Sequence, residues 1–270
     1  MLQPFVRNRA TWLAYLMLAL YGYFLNIFGP ITPFLKNELE LSYTVSSLHF
    51  SAFALGIIGA GLIGHRVIER LGRWRSLWIS AFGMSGCALL LIAGRDPALT
   101  IGASFLMGLV GSLILAIVPS VLSDQHGDKR AVALSEANVI ASLVSAIAPM
   151  LVGWFALSAL GWRAALVVAV LAIVVMRFGF NQVSFPPAQV STDPNQRERQ
   201  LPALYWIYWA ALVVGVSIEF CMIFWSADYL ETGLGMPKAE AAQAVSVFLG
   251  GMIVGRLASR MRVLVVGMTV

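Results

Sequence analysis

Two glutamates stand inside long apolar runs of the sequence, where an ionisable side chain is costly and is therefore a candidate for function. Glu219 lies near the middle of one run, and Glu136 lies about one and a half helical turns into another. A carboxyl group inside a membrane can take up and release a proton, so both residues are candidates for proton coupling. For Glu219 the alternatives are direct solute binding and a structural hydrogen bond between helices. For Glu136 a structural role near the membrane surface is favoured, because a helix N-terminus stabilises a nearby carboxylate.

Uncharged polar side chains in the same runs are candidate solute ligands. An amide in hydrocarbon needs a hydrogen-bond partner, so Asn26 either binds the solute or joins two helices. Asn138 belongs to a polar stripe with Ser142 that is predicted to face a cavity. Tyr208 shares a helix face with Glu219 and can stack on a flat ligand. A belt of interfacial aromatic residues is the favoured explanation of the cluster around Tyr208.

The composition requires a membrane environment for these residues. Apolar residues make up 59% of the 270 residues and charged residues only 11%, whereas charged residues are about a quarter of a soluble domain. A soluble fold cannot bury so much apolar surface, which excludes secreted, disordered and nucleic-acid-binding proteins. The sequence predicts an all-α polytopic protein of the lipid bilayer.

Eight apolar runs are long enough to cross a hydrocarbon core of about 30 Å as helices. In chain order they are Thr11–Pro33, Thr44–Ile68, Leu77–Ala93, Ala98–Ser123, Ala131–Leu157, Trp162–Phe180, Leu204–Leu230 and Pro237–Arg256.

The Lys and Arg residues predict the orientation of these spans. Of the 18 basic residues, only Lys36, Arg95, Arg163 and Lys238 fall on one side of the predicted spans. All the others fall on the opposite side, and basic residues are enriched in cytoplasmic loops. The N-terminus is therefore predicted to be cytoplasmic, and orientation also explains the net charge of +5.

The longest loop divides the chain into two parts. Residues 1–182 hold six predicted helices, and residues 183–203 form a cytoplasmic linker that is rich in proline and polar residues. Residues 204–270 hold two complete helices and then Val263–Val270, which is predicted to begin a ninth. The second bundle is therefore predicted to be incomplete.

An internal repeat relates the two parts. Ser51, Phe53 and Gly56 recur 195 residues later, as Ser246, Phe248 and Gly251. The two copies lie in the second and eighth predicted helices, six spans apart. Duplicated helical halves with this spacing are typical of secondary transporters.

The loop between the second and third spans carries Glu69, Arg70, Gly72 and Arg73. This segment resembles the signature of the major facilitator superfamily, approximately Gly-x-x-x-Asp-Arg-x-Gly-Arg-(Arg/Lys). Glu69 replaces the aspartate and Trp74 the second base. A degraded second copy follows the eighth helix with Gly255, Ser259 and Arg260.

The resemblance implies a helical bundle of 12 spans that moves a solute by alternating access. It implies a gate on the cytoplasmic side made by Glu69, Arg70, Gly72 and Arg73, with Gly255 and Arg260 as the counterpart. A carboxylate beside two arginines can also latch helix ends without any family argument, whereas four arginines alone would only set the topology. Solute binding is expected between the halves at Asn26, Asn138 and Tyr208, with proton coupling by Glu219 or Glu136.

We therefore predict a proton-coupled transporter of a small solute in the inner membrane of a bacterial cell. The competing prediction is a truncated, non-transporting membrane protein that acts as a scaffold or is inactive, because the chain lacks the later helices of the family. The sequence has no phosphate loop, nucleophile motif or metal-ligand spacing, so we expect no enzyme activity, no cofactor and no metal. The sequence leaves the substrate, the direction of transport and the oligomeric state open.

Overall fold

The computed structural model describes residues 5–183, 185 and 203–267, with side chains as far as residue 255. These residues form helices and turns and contain no strand. The helices are α1 Arg9–Glu38, α2 Tyr43–Ala93, α3 Pro97–Gly111, α4 Leu113–His126, α5 Arg130–Ala156, α6 Ala164–Gly179, α7 Ala203–Leu234 and α8 Lys238–Gly267, with a 3₁₀ turn Gly127–Lys129 before α5. Most of the predicted linker, residues 184 and 186–202, lies outside the described part.

Helix α2 contains two of the predicted spans. The chain bends between them at Gly72, which has φ 78° and ψ 157° and is the one residue of α2 with non-helical backbone angles. This positive φ favours glycine, because a Cβ atom would clash with the backbone. The break therefore falls in the predicted loop. The fourth predicted span is likewise divided, at Ser112, into α3 and α4.

Four stretches of the described chain are long and apolar enough to cross a membrane: Arg9–Glu38, Tyr43–Ala93, Pro97–Ala156 and Ala203–Leu234. The shorter helix α6 is also apolar. The all-helical membrane fold is confirmed, whereas the count of eight complete spans stays a prediction. Residues predicted to begin a ninth helix instead continue α8 as far as Gly267. Helix α8 has no positive φ at its glycines Gly250, Gly251 and Gly255, unlike α2 at Gly72.

Helix α1 lies at the centre of the bundle. Tyr15, Phe24, Ile27 and Ile31 on this helix are almost completely buried, and α1 contacts α4, α5, α7 and α8. Burial of large apolar side chains by several helices holds α1 in place. By contrast, the first half of α7, residues 203–218, is exposed, and only its second half packs against the bundle.

Two close approaches join the helices before the linker to those after it. A Cβ atom at Gly29 of α1 would collide with the carbonyl oxygen of Ile223 in α7. A Cβ atom at Gly153, near the end of α5, would collide with the carbonyl oxygen of Ala239 at the start of α8. Glycine allows backbones to approach this closely. These contacts hold α1 against the second half of α7 and the end of α5 against the start of α8.

Candidate functional site

A cavity of about 170 Å³ lies between α1, α5, α7 and α8, with α4 at its edge. Three of the residues predicted as site residues line it together: Asn26 from α1, Asn138 from α5 and Glu219 from α7. Ser142 and Ser145 of α5 line it as well. The cavity thus collects polar groups from both sides of the linker, although these residues are as far as 193 positions apart in the sequence.

The crossing of α1 and α5 positions the two amides. A Cβ atom at Gly22 would lie 2.5 Å from the Ser145 hydroxyl oxygen, so the two helices pack closely here. Asn26 follows Gly22 by one helical turn, and Asn138 precedes Ser145 by two turns on the same face of α5. The crossing therefore directs both side chains toward the same space.

Both amides donate to the carbonyl oxygen four residues earlier in their own helix. Asn26 Nδ2 lies 2.8 Å from the Gly22 carbonyl oxygen, and Asn138 Nδ2 lies 2.8 Å from the Leu134 carbonyl oxygen. Asn26 is only 6% exposed, and its Oδ1 has no hydrogen-bond partner among the described residues. Buried acceptors are normally paired, so this oxygen marks a place where a bound molecule would supply a donor.

Glu219 is half-buried at the wall of the cavity. The carboxyl already takes part in an interaction in the structure. Leu249 and Met252 of α8 complete the apolar part of the wall. Tyr208 lies three turns before Glu219 on α7, is 68% exposed and does not line the cavity. The structure brings Asn26, Asn138 and Glu219 together and leaves Tyr208 apart.

Glu136 lies outside the cavity, at the end of the bundle where α1 and α5 begin. Arg7 binds it with both nitrogens of one edge: Nη2 lies 2.6 Å from Oε1 and Nε 2.8 Å from Oε2. The Tyr15 hydroxyl donates to Oε2 at 3.1 Å. The hydrogen bond that the guanidinium of Arg7 donates to Glu136 raises the pKa of Arg7. This arrangement ties the N-terminal segment to α5, which supports the structural role.

The predicted gate is divided in the structure. Arg73 is the member that pairs across helices: its Nη1 lies 2.6 Å from Asp124 Oδ2, and its Nη2 donates to the Ser120 hydroxyl at 2.5 Å. Glu69 instead lies 3.1 Å from His65 in its own helix, and both side chains are well exposed. Among the described contacts, the carboxylate that meets Arg73 is therefore Asp124 and not Glu69.

The other predicted gate residues have less defined surroundings. Arg70 and Gly72 are exposed, and the role of Gly72 is conformational, at the break in α2. Gly255 is exposed with no atom within 4 Å of a Cβ built on it. The side chain of Arg260 lies outside the described residues.

Sequence reasoning missed a buried ion pair at the opposite end of the bundle. Lys36 at the end of α1 lies 2.5 Å from Asp228 of α7, and their side chains are 12% and 5% exposed. Asp228 stands near the predicted end of its span, where a charged side chain is ordinary. The available signal was charge: Lys36 is one of only four basic residues on that side of the predicted membrane.

Nothing in the described part of the chain groups three or more His, Cys, Asp or Glu side chains in a way that could hold a metal ion. The polar side chains of the cavity wall carry amides, hydroxyls and a carboxyl. Its chemistry is that of hydrogen bonding and proton binding.

Comparison with known families decides the class of protein. The family model of the Major Facilitator Superfamily matches residues 14–270. The chain belongs to this superfamily. The predicted resemblance is confirmed, and membership supports the prediction of a membrane transport protein and not an enzyme.

Curated relatives in the superfamily are about a quarter identical to the chain over the aligned residues. The glucose transporter GlcP of Staphylococcus epidermidis is 28% identical over 178 residues, which are 66% of this chain and 40% of the relative. The multidrug resistance protein MdtL of Escherichia coli is 24% identical over 230 residues, which are 81% of this chain and 57% of the relative. The chain thus spans about half the length of these relatives.

Solved structures of superfamily members share the fold. A D-xylose-proton symporter superposes with a TM-score of 0.71 at 18% identity, over 94% of this chain and 68% of that protein. A bacterial homologue of human drug peptide transporters superposes with a TM-score of 0.54 at 16% identity, over 95% and 53%. At these identities the likeness concerns the fold alone.

Proposed function

We propose that this chain acts in a secondary active transporter that moves a small solute across a membrane by alternating access, coupled to protons. The observation that carries the proposal is the convergence of Asn26, Asn138 and Glu219 on one cavity. The cavity lies between helices that precede the linker and helices that follow it, which is where secondary transporters bind their solutes.

Glu219 is the proposed proton-coupling residue, because it is the one carboxyl among the described residues that line the cavity. A carboxyl beside the solute site can link the occupancy of that site to proton binding. The D-xylose-proton symporter, which shares the fold, supports this form of coupling. Glu136 is held by Arg7 and Tyr15 away from the cavity, so we assign it to structure.

The two ends of the bundle are proposed to close in turn. At one end Lys36 and Asp228 join α1 to α7 across the linker. At the other end Arg73 and Asp124 join the start of the third predicted span to the end of α4. Following the positive-inside bias, we propose that the second pair and the N-terminus are cytoplasmic and that the protein lies in the inner membrane.

The domain organisation follows the predicted boundaries. Residues 1–182 are proposed to form one six-helix bundle, and residues 204–270 to contribute helices to a second, joined by the linker at 183–203. Helices α7 and α8 contact α1 and α5, so the two bundles would meet along these four helices.

Proteoliposomes carrying the chain test the proposal. A pH-sensitive dye trapped inside reports proton movement when a solute is added outside, starting with D-glucose and D-xylose because relatives are named for these sugars. We expect solute-driven acidification of the vesicle interior with the wild-type chain and none with empty vesicles. A chain that moves neither solute nor protons for any member of a broad solute panel contradicts the proposal.

A further inference from the structure

We infer that the cavity binds a small, uncharged, polyhydroxylated solute, which it recognises through hydroxyl groups that donate hydrogen bonds to Asn26 and Asn138. This inference rests on the proposed function and specifies the class of its substrate. It follows from which atoms of the two amides are already engaged and from the charges of the cavity wall.

Each amide uses its nitrogen in one hydrogen bond to a backbone carbonyl of its own helix. The backbone carbonyls of Gly22 and Leu134 are acceptors only, so the atom of Asn26 or Asn138 that contacts them must be the NH₂ group. The assignment of oxygen and nitrogen in both side chains is therefore fixed by chemistry. The carbonyl oxygen of each side chain, Oδ1, is a hydrogen-bond acceptor, so it matches a ligand that carries hydrogen-bond donors.

Asn26 Oδ1 gives the strongest requirement for a donor. Asn26 is only 6% exposed, and its Oδ1 has no hydrogen-bond partner within the described structure. An unpaired buried acceptor is costly, and a donor from a bound molecule would remove that cost. Asn138 also lines the cavity and is exposed, so its side chain is open to contact with the same bound molecule.

The charges of the wall favour a neutral molecule. No Lys, Arg or His is among the described residues that line the cavity, so an anionic solute finds no counter-charge there. The Glu219 carboxyl already takes part in an interaction, and it is the proposed proton-binding group. The neutral amide oxygens are then left to bind the solute. Ser142 and Ser145 add hydroxyls that both donate and accept. Amides and hydroxyls together match a molecule that carries several hydroxyl groups.

The size of the cavity favours a small solute. Its volume is about 170 Å³, below the range of about 300–1,000 Å³ that holds drug-sized ligands. The leucine and methionine side chains of α1, α4 and α8 at the wall suit the apolar C–H faces of a ring.

Binding to the purified chain in nanodiscs tests the inference without requiring transport. The titrated probes are D-xylose, D-glucose and myo-inositol, with tetramethylammonium as a cation and L-lactate as an anion. Permethylated D-glucose keeps the acceptors and loses the hydroxyl donors. We expect saturable binding of at least one polyol and at least 10-fold weaker binding of its permethylated form.

Variants of the amides identify the contacts. Asn138→Ala and Asn26→Ala should each weaken binding of that polyol by about 10-fold, the loss of roughly one good hydrogen bond. Asn37→Ala is the matched control, because Asn37 is an exposed amide on the same helix α1 outside the cavity. Asn138 is exposed, so its variant remains informative if Asn26→Ala fails to fold.

The outcomes separate this inference from the proposed function. Polyol binding that depends on the amides, without any flux, supports the inference and contradicts transport by the chain. Proton-coupled flux of a cation or an anion, with no polyol binding, supports transport and overturns the inference. Binding of a polyol that neither amide variant weakens, or that survives permethylation, also overturns it.

Discussion

The ammonium of Lys36 lies 2.5 Å from a carboxylate oxygen of Asp228, and this contact ties the end of α1 to the end of α7. Both side chains are largely buried, and the Lys36 ammonium also lies 3.8 Å from the ring centre of Tyr43. The two residues are separated by 192 positions and by the linker. The pair is therefore a direct connection between the two parts of the chain.

Removing one partner of this pair should be strongly destabilising. Lys36→Met leaves Asp228 as a buried, unpaired charge, which typically costs about 3–5 kcal/mol. Thermal unfolding of the purified protein in detergent should show a marked drop in the unfolding midpoint.

Two further variants show whether the cost comes from the pair. The exchange Lys36→Asp with Asp228→Lys restores opposite charges and should recover part of the loss. Lys238→Met is the control. The Lys238 ammonium lies 3.6 Å from a carboxylate oxygen of Glu231 in α7, and its side chain is more exposed than that of Lys36. Equal destabilisation by the Lys36 and Lys238 variants would contradict a special role for the pair.

The close approach of α1 and α7 at Gly29 makes a second prediction. Gly29→Ala places a methyl group against the Ile223 carbonyl oxygen, and such overpacking costs about 1–3 kcal/mol. Gly86→Ala is the control, because a Cβ atom at Gly86 has no neighbour within 4 Å, and alanine favours a helix over glycine. Unfolding midpoints should fall for the first variant and stay level or rise for the second. Equal midpoints would show that the helices do not meet at Gly29.

The ion pair of Arg73 makes a third prediction. Arg73→Gln removes the contacts with Asp124 and Ser120, and hydrogen bonds to charged groups contribute about 1.5–3 kcal/mol. Arg70→Gln, at an exposed position of the same loop, should change stability by less than about 0.5 kcal/mol. The comparison is made by unfolding midpoints at low salt. A larger drop in the unfolding midpoint for Arg70→Gln than for Arg73→Gln would favour a gate at Arg70 and contradict the role of Asp124.

Much of the fold could be predicted from apolar runs, because a helix that crosses lipid must satisfy all its backbone groups internally. The break at Gly72 was also predictable, since glycine adopts a positive φ readily. The division at Ser112 and the continuation of α8 to Gly267 were not, because helix ends inside apolar sequence carry weak local signals.

The site could be predicted in part for a similar reason. Asn26, Asn138 and Glu219 stood out because polar groups are rare in a span. Their meeting in one cavity depends on the Gly22–Ser145 crossing, a contact over 123 positions that no local pattern reveals. The partners Asp124 and Asp228 were missed because charges at span ends are common, and only the tertiary contacts with Arg73 and Lys36 distinguish them.

Proton movement driven by solute, compared between wild-type and Glu219→Gln proteoliposomes, tests the claim that Glu219 carries the coupled proton. Glutamine keeps the size of the side chain and cannot carry the proton. The claim predicts that Glu219→Gln abolishes solute-driven proton movement but keeps solute exchange down its own gradient, whereas Glu136→Gln, if it folds, keeps both. Unchanged proton coupling in Glu219→Gln would contradict the coupling role of Glu219.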